Sequence, residues 1–548
     1  MPKRFIFKSN QTIGAAQAEL DSHYLAECFV DTGDLLVLRN CDDPRRIVAG
    51  RTGAGKSALL ARLAELEEHP IQIRPESLAL AYIANSNVIA FFTEAGVKMD
   101  IFYRLLWRHV LVVEVLKARF NIENEAAKRS FLDTLWQVIP RNKKHELALQ
   151  YLRNWGESFW KETEYRIQEV TSTLENELQG SVGPSLRGIG VLNASAARRL
   201  TEQQKEEVVH RAQEVVNKVQ IVELSRVIDL LDEVLLNDPQ RKYFVVIDKL
   251  DEDWVEERLR YQLIRALIET SLDFARIKNV KVIIAARNDL LDRVYRFTRD
   301  PGFQEEKYRT STLQIHWTRE QLIEILDSRI GVLVREQYTR EPVTHQDVLT
   351  PKVGRQAGID YLLGRTLMRP RDVIQFFNAC IAHSDGRPTI TLRALREAEG
   401  VYSRERLRAL ADEWFGLYPN LLHLTRLLKR RRETFAADEL ELGDLEENYL
   451  ELLVSGQGQN GLDLQMMNLV FEGAMSLAEY RTNVLLVFYK VGLVGLKVEA
   501  FSPISWGDAG AVTVSNAEVT DATRVYIHKT FWRCLGIGSM DDDPRSVH

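Results

Sequence analysis

Short apolar runs that stop at glycine, proline or charged residues recur along the chain. They cover residues 47–49, 69–75, 243–247, 281–286 and 312–317. Strands that are buried on both faces give such continuous runs, and the carboxyl ends of parallel strands meet at one edge of their sheet. The pattern therefore predicts an α/β fold with a parallel sheet, in which functional residues follow the ends of the strands.

Apolar residues at helical spacing predict helices between and beyond these strands. The predicted helices cover residues 15–29, 101–120, 160–178, 201–236, 255–275, 320–333, 358–367 and 368–380. No strand pattern occurs from 101 to 237, where residues 180–197 are rich in glycine and serine. We interpret 101–237 as a helical insertion in the α/β core, either with a solvated face or as a partner-binding arm.

The last part of the chain, residues 418–548, shows helices followed by strands. Helices at 421–432 and 475–490, a hairpin formed by 491–497 and 512–514, and a strand at 523–528 give the outline of a winged helix. Such a domain can place a helix in a DNA major groove. The first helix ends in the basic residues 429–432, whereas Asp508, Glu518 and Asp521 lie around the predicted wing. Contact with DNA therefore stays open.

Composition is that of an ordinary soluble protein with several hydrophobic cores. The chain has 548 residues, of which 45% are hydrophobic and 27% charged, and its net charge is −6. The four cysteines include no C-x-x-C pair. No apolar stretch follows the basic N-terminus, and the apolar residues 483–501 are interrupted by Lys490, Lys497 and Glu499. We therefore expect a cytoplasmic protein that does not enter a membrane.

The first apolar run leads into a glycine-rich loop that matches the pattern G-x-x-x-x-G-K-[ST]. Its residues are Gly50, Arg51, Thr52, Gly53, Ala54, Gly55, Lys56 and Ser57. Glycines let backbone N–H groups turn inward around a polyphosphate, and the start of the following helix favours an anion. Lys56 would contact the β- and γ-phosphates, and Ser57 would ligate Mg²⁺. The loop predicts a site for ATP and Mg²⁺.

The run at 243–247 ends in the acidic segment 248–253. An apolar strand that ends in an acid is typical of Walker B, and Asp248 is the predicted second ligand of Mg²⁺. The next residue is Lys249, which cannot act as a general base at neutral pH unless its pKa is strongly perturbed. Asp251 and Glu252 are the candidates for that catalytic role. The alternative is an ordinary acidic turn after a buried strand.

Two further positions carry candidate site residues. Arg287 and Asn288 follow the run at 281–286, where a polar side chain could sense the γ-phosphate or position water; the alternative is a helix N-cap by Asn288 or Asp289. Arg369 and Arg371 flank Pro370 at the start of a helix, where an anion is a plausible partner for them. We interpret these arginines as nucleotide contacts on a lid, with a solvated pair as the alternative.

These motifs divide the chain into six parts. They are an N-terminal segment (1–43), a first part of an ATPase core (44–100), the helical insertion (101–237), a second part of the core (238–317), a helical lid (318–417) and a winged-helix-like domain (418–548). The helix predicted at 15–29 either is a docking helix or lies against the base of the nucleotide. Both interpretations stay open.

In this order, the motifs resemble those of AAA+ P-loop ATPases of the STAND, KAP and origin-recognition-like branches. The stretches AELDSHYLAECF, GRTGAGKSALL, LWRHVLVVEVLK, VVIDKLDEDW and MRPRDVIQFFN resemble a poorly characterised family of bacterial P-loop ATPases. Its relatives are often encoded with antiviral defence systems. Lys249 departs from the pattern, because AAA+ proteins usually have Glu at this position and STAND and KAP proteins usually have Asp.

The resemblance implies an ATP-binding and ATP-hydrolysing switch that forms homo-oligomers and acts through an effector protein in antiviral defence. A neighbouring subunit could supply an arginine finger, for which the candidates are Arg293, Arg296, Arg299, Lys307 and Arg309. Two alternatives are a nucleotide-bound scaffold that does not hydrolyse ATP and recruits an effector, and a DNA-binding loader or remodeller.

Overall fold

A computed structural model describes most of the chain outside the predicted helical insertion. The described residues are 5–78, 91, 93–97, 99–121, 197–198, 200–203, 205–206, 209–210, 221–299, 305–335, 342–455, 460–507 and 514–538. The predicted helix 160–178, the segment 180–196 and most of the predicted strand 512–514 lie outside these residues. The chain forms two compact units, which we call the core unit (33–50 and 56–315) and the lid unit (1–32, 51–55 and 316–548).

The elements are numbered in chain order. The strands are β1 (Ile47–Gly50), β2 (Pro70–Ile73), β3 (Tyr243–Ile247), β4 (Val280–Arg287), β5 (Thr312–Gln314), β6 (Lys352–Val353), β7 (Gln356–Ala357), β8 (Thr434–Ala436), β9 (Val494–Lys497), β10 (Ser505–Trp506) and β11 (Arg524–Ile527). The helices up to the end of the core unit are α1 (Ser22–Cys28), α2 (Asp34–Arg39), α3 (Lys56–Leu66), α4 (Asp100–Phe120), α5 (Ile221–Leu230), α6 (Glu257–Asp273), α7 (Asn288–Phe297) and α8 (Glu305–Thr310). The later helices are α9 (Arg319–Arg335), α10 (His345–Val348), α11 (Gly358–Leu363), α12 (Pro370–Ala382), α13 (Leu392–Trp414), α14 (Leu421–Leu424), α15 (Leu442–Ser455), α16 (Leu462–Phe471), α17 (Leu477–Val491) and α18 (Trp532–Leu535).

The core unit is built on a five-stranded parallel sheet in the order β2-β3-β4-β1-β5. Every residue of β1 and β3 is buried, as expected for strands covered on both faces. The predicted α/β class is therefore confirmed as a mixed α/β fold with a parallel sheet, which is compatible with a P-loop core. In this order β1 lies between β4 and β5, so residues that follow β4 reach the end of β1.

Helices α4 and α6 of the core unit pack against each other around large apolar side chains. Trp107 of α4 is buried and donates a hydrogen bond from its indole nitrogen to the Leu263 carbonyl of α6, at 2.9 Å. The prediction of a helix at 101–120 is confirmed. The described end of the predicted helix 201–236 is α5 followed by a π-helical turn, Leu231–Leu235.

The lid unit places helices α9, α11, α12 and α13 around one apolar core. The N-terminal residues Phe5, Phe7 and Ile13 are buried in this same core. Arg329 of α9 forms a buried ion pair with Asp21, which directly precedes α1. The N-terminal segment thus docks on the lid helices, and the alternative of contact with a nucleotide base stays a prediction.

The C-terminal part of the lid unit has a four-stranded antiparallel sheet in the order β10-β9-β11-β8, packed with α15 and α17. The predicted strand at 523–528 is confirmed as β11. The predicted pairing of β9 with 512–514 was wrong, because β10 and β11 occupy the two edges of β9. The predicted helix 421–432 was too long: a 3₁₀ turn, Thr425–Leu428, follows α14, and Arg430 adopts a left-handed backbone (φ 57°) that ends it. The winged-helix assignment stays an interpretation.

Among the described helices, none combines the length and the apolar character that a bilayer crossing requires.

Candidate nucleotide-binding site

The glycine-rich loop joins β1 to α3, as predicted from the sequence. Gly50 ends β1 and Lys56 begins α3, both in the core unit, whereas the residues between them, 51–55, belong to the lid unit. Gly53 and Gly55 have φ angles of +80° and +97°, a backbone region that residues with a Cβ rarely adopt. The loop conformation therefore requires glycine at these two positions.

Three successive carbonyl groups of the loop accept hydrogen bonds from the lid unit. The Thr52 carbonyl accepts from Arg369 Nη1 at 2.7 Å. The Gly53 carbonyl accepts from the Arg371 backbone N–H at 3.4 Å, and the Ala54 carbonyl accepts from the Trp317 indole nitrogen at 2.7 Å. The lid unit thus fixes the direction of three peptide planes in the loop.

The fixed carbonyls determine where the N–H groups of the loop point. In a trans peptide, the N–H of one residue points opposite to the carbonyl of the residue before it. The N–H groups of Gly53 and Gly55 therefore point away from Arg369 and Trp317, and neither has an acceptor among the described residues. Backbone N–H groups of a glycine-rich loop that have no acceptor within the protein can bind a phosphate anion.

In the core unit, the start of α3 lies beside the end of β3. Ser57 Oγ donates a hydrogen bond to Asp248 Oδ2 at 2.8 Å, and Lys56 Nζ donates to the Gly50 carbonyl at 3.0 Å. A hydroxyl and a carboxylate at this spacing are the hard oxygen ligands that Mg²⁺ prefers. The two residues fit the predicted Mg²⁺ site. No group of three or more His, Cys, Asp or Glu side chains that could hold a metal occurs among the described residues.

The turn after β3 gives the predicted catalytic acids different environments. Lys249 has a left-handed backbone (φ 62°), its N–H donates to Asp248 Oδ1 at 2.8 Å, and its Nζ lies 3.6 Å from Glu252. A hydrogen bond with Glu76, together with partial burial, raises the pKa of Glu252. A raised pKa is the direction that suits a carboxylate acting as a proton acceptor near neutral pH.

Asp251 instead forms an ion pair with Arg287. Arg287 Nη1 donates to Asp251 Oδ2 at 3.2 Å, while its Nε donates to Asp289 Oδ1 at 2.8 Å. Arg287 is also paired in register with Gly50, across the β1–β4 ladder. The structure therefore brings Arg287 to the strand end from which the loop begins and holds its guanidinium between two carboxylates.

Asn288 is the first residue of α7, and Arg287 occupies the N-cap position without a side-chain cap. The N-cap alternative for Asn288 and Asp289 was therefore wrong. Asn288 Oδ1 accepts a hydrogen bond from Gln314 Nε2 of β5 at 3.3 Å. Since β1 lies between β4 and β5, this bond spans the end of β1.

The two lid arginines differ in environment. Arg369 is buried, and the neighbouring carboxylates of Asp372 and Glu413 outweigh that burial and raise the pKa of its guanidinium. Arg371 is half-buried, and burial lowers its pKa, with Arg406 and Arg369 adding to the effect. Arg371 Nε donates to the Ala16 carbonyl at 2.9 Å. Both arginines contact loop residues within the lid unit.

Contacts of Arg51 and Trp317 that the sequence did not indicate complete the surroundings of the loop. Arg51 Nη2 donates to the Val491 carbonyl at 2.6 Å, and Arg51 Nε lies 3.6 Å from Glu413 Oε1. Trp317 was predicted to lie in a strand, but β5 ends at Gln314. An arginine inside a phosphate loop was visible in the sequence, yet nothing local indicated its partners.

The candidates for an arginine finger lie in and after α7. Arg293 is tied to Asp289 at 2.8 Å, whereas Arg296, Arg299 and Arg309 are exposed. The side chain of Lys307 lies outside the described residues. Their role in a neighbouring subunit stays a prediction.

The fold and the loop define a mixed α/β protein compatible with a P-loop core, and comparisons with known proteins add two similarities. Residues 320–411, which run from α9 into α13, match the family described as the FunZ-associated C-terminal helical domain. The chain is also 22% identical, over 540 residues, to a protein of Escherichia coli (strain K12) named "Putative transposon gamma-delta 80.3 kDa protein". The alignment covers 97% of this chain and 67% of that protein. No solved structure matches the chain.

Proposed function

We propose that the protein binds ATP with Mg²⁺ through the loop at residues 50–57 and acts as a nucleotide-dependent switch. The observation that carries the proposal is the hydrogen bond between Ser57 and Asp248, two residues far apart in sequence that the fold brings together beside a glycine loop. The outward carbonyls of the loop support it, since they leave the N–H groups of Gly53 and Gly55 for phosphate oxygens.

Each residue of the site would have a distinct task. Lys56 would exchange its bond to the Gly50 carbonyl for the β- and γ-phosphates, adding a positive charge where the triphosphate is most negative. Ser57 and Asp248 would hold Mg²⁺. When bound, that ion supplies charge neutralisation for the phosphate oxygens.

For hydrolysis, we propose Glu252 as the residue that accepts a proton from the attacking water. The pKa of Glu252 is raised, and Asp251 is already held in an ion pair with Arg287. Asp251 would instead hold Arg287 in position for the γ-phosphate. Turnover abolished by Glu252→Gln and only reduced by Asp251→Asn would support this assignment; the opposite order would contradict it.

The direct test measures nucleotide binding and phosphate release on the same sample. The wild-type chain should bind ATP in the presence of Mg²⁺ and release phosphate, and Lys56→Ala should lose binding. We also propose that the switch forms homo-oligomers, as the family resemblance implies, and mass measurement in solution with and without ATP tests this. Wild-type protein that binds no ATP, or a Lys56→Ala variant that binds it equally well, would overturn the proposal.

A second candidate function is a scaffold that retains ATP without hydrolysing it and recruits an effector protein. Lys249 favours the scaffold, because this residue occupies the position after the Walker B acid and forms an ion pair with Glu252. Tight ATP retention with no phosphate release, unchanged by Glu252→Gln, would support the scaffold over the enzyme.

The biological setting that we propose is antiviral defence, as the family resemblance implies, or a role connected with transposition, as the name of the E. coli relative suggests. The plating efficiency of phage and the frequency of transposition, each compared between wild type and Lys56→Ala, distinguish the two settings. If neither measurement differs between wild type and Lys56→Ala, both proposed settings are contradicted.

A further inference from the structure

We propose that Glu413 and Arg51 are positioning residues through which the C-terminal part of the lid unit sets the affinity of the phosphate loop for nucleotide. The proposal rests on the function proposed above. Its basis is a buried cluster, which we call the arginine cluster, formed by Arg51, Arg369, Asp372, Arg406 and Glu413.

Arg51 is the member of the arginine cluster that belongs to the loop. Its Nη2 donates to the carbonyl of Val491, the last residue of α17, and its Nε lies 3.6 Å from Glu413 Oε1. The next residue, Gly492, has φ +83°, and a Cβ added there would lie 2.5 Å from Arg51 Nη1. The end of α17 is therefore shaped to receive this guanidinium.

Glu413 connects to the loop by a second route. Its Oε2 lies 3.7 Å from Arg369 Nη1, the same nitrogen that donates to the Thr52 carbonyl. Arg406 Nη2 also donates to this oxygen at 3.3 Å. The Glu413 carboxylate on α13 thus lies beside the side chain of Arg51 in the loop. It also lies beside Arg369, which orients the peptide between Thr52 and Gly53.

Charge and burial make this arrangement sensitive to the loss of Glu413. The arginine cluster contains three guanidinium groups and two carboxylates, and every member is less than one-tenth exposed. Removing one carboxylate leaves buried positive charges without compensation, which is far more costly than losing an exposed ion pair. The guanidinium groups of Arg51 and Arg369 would then have to move toward water.

Movement of Arg369 or Arg51 would change the direction of the loop peptides. The N–H of Gly53 points away from Arg369 because Arg369 holds the Thr52 carbonyl of the same peptide. Loss of that constraint would let the peptide rotate, and the phosphate would lose a preorganised donor. Nucleotide affinity should therefore fall even where the overall fold is retained.

The same helix offers a matched control. Glu399 of α13 is also buried and paired with arginine: its Oε1 accepts from Arg365 Nε at 2.6 Å, and its Oε2 accepts from the Tyr361 hydroxyl at 2.6 Å. None of these contacts involves a loop residue. Glu399→Gln therefore removes a comparable buried charge without acting on the loop.

The experiment measures the Kd of a fluorescent ATP analogue with Mg²⁺ for the full chain and for Glu413→Gln, Glu399→Gln and Arg51→Met. Thermal unfolding and circular dichroism are recorded for each. We expect Glu413→Gln and Arg51→Met to bind about tenfold more weakly or worse, a coupling of ordinary size between sites. Glu399→Gln should lower thermal stability and leave Kd within about twofold of wild type.

Two results would overturn the proposal: wild-type affinity in both Glu413→Gln and Arg51→Met, or an equal loss of affinity in Glu399→Gln. If Glu413→Gln does not fold, Arg51→Met, which leaves both carboxylates in place, decides the outcome. Failure of the wild-type chain to bind the analogue, or binding that Lys56→Ala leaves unchanged, would instead refute the proposed function, so the two failures are distinguishable.

Discussion

Replacing Gly53 by alanine tests whether the loop needs the conformation that the lid unit holds. Gly53 has φ +80°, and a Cβ added there would lie 2.6 Å from Arg371 Cβ and 2.7 Å from Arg371 Cδ. Arg371 Cβ is attached to the backbone of α12, so a side-chain rotation cannot move it away. Gly53→Ala therefore brings both backbone strain and a steric clash to the loop.

The two costs can be estimated separately. A left-handed backbone costs an alanine about 1–2 kcal/mol, and forcing an extra carbon into a packed position costs about 1–3 kcal/mol. Their sum, about 2–5 kcal/mol, applies only while the loop keeps its present conformation. The loop should therefore leave it, and ATP binding, which requires it, should weaken by about 30-fold or more, the equivalent of 2 kcal/mol.

Gly33→Ala is the matched control for this variant. Gly33 has a similar φ of +87°, but among the described residues, apart from its chain neighbours, no heavy atom lies within 4 Å of an added Cβ. In urea denaturation, Gly33→Ala should lower the free energy of unfolding only by the backbone cost of about 1–2 kcal/mol. The variant should bind ATP like the wild type. Isothermal titration of ATP in the presence of Mg²⁺ measures the affinities. Wild-type affinity in Gly53→Ala would refute the reasoning about the loop.

Three further variants test other parts of the account. Burial lowers the pKa of Lys281 from 10.5 to about 8, so the unfolded chain binds more protons than the folded one between these pH values. The free energy of unfolding of the wild type, compared with that of Lys281→Met, should therefore rise with pH across this window. Urea denaturation should show a rise of up to about 3 kcal/mol. Parallel pH profiles of the two proteins would contradict the burial of a charged lysine. Asp248→Asn should weaken ATP binding about tenfold in Mg²⁺ and remove the effect of adding a chelator, whereas a retained chelator effect would argue against a metal ligand at this position. Trp317→Phe loses the hydrogen bond to the Ala54 carbonyl, worth about 0.5–1.5 kcal/mol, and should weaken ATP binding roughly twofold to tenfold in the same titration; unchanged binding would show that this carbonyl does not orient the loop.

Local patterns predicted the elements that carry the candidate site. A few adjacent residues, through their apolar run or their glycine content, predict each of three elements: the loop before α3, strand β3 with the acid that follows it, and the polar end of β4. The sequence alone therefore predicted that Asp248 lies near Ser57, because parallel strands end at the same edge of the sheet. The structure gives that pairing a length of 2.8 Å.

Long-range partners could not be predicted from one sequence. Arg51 contacts Val491, which lies 440 residues later, and no local signal marks either Val491 or Glu413 as its neighbour. Trp317 continues an apolar run and was assigned to a strand, although its indole nitrogen bonds to the loop. Lys281 begins an apolar run, and only the packing of α2 shows that its ammonium donates to the carbonyls of Val37 and Asn40.

Isothermal titration of the full chain with ATP and Mg²⁺ tests whether the loop at residues 50–57 binds ATP. We expect saturable binding by the wild type and the loss of that binding in Lys56→Ala, with both proteins folded by circular dichroism. A wild-type chain that gives no binding heat and no thermal stabilisation by ATP, or a Lys56→Ala variant with unchanged affinity, would contradict it.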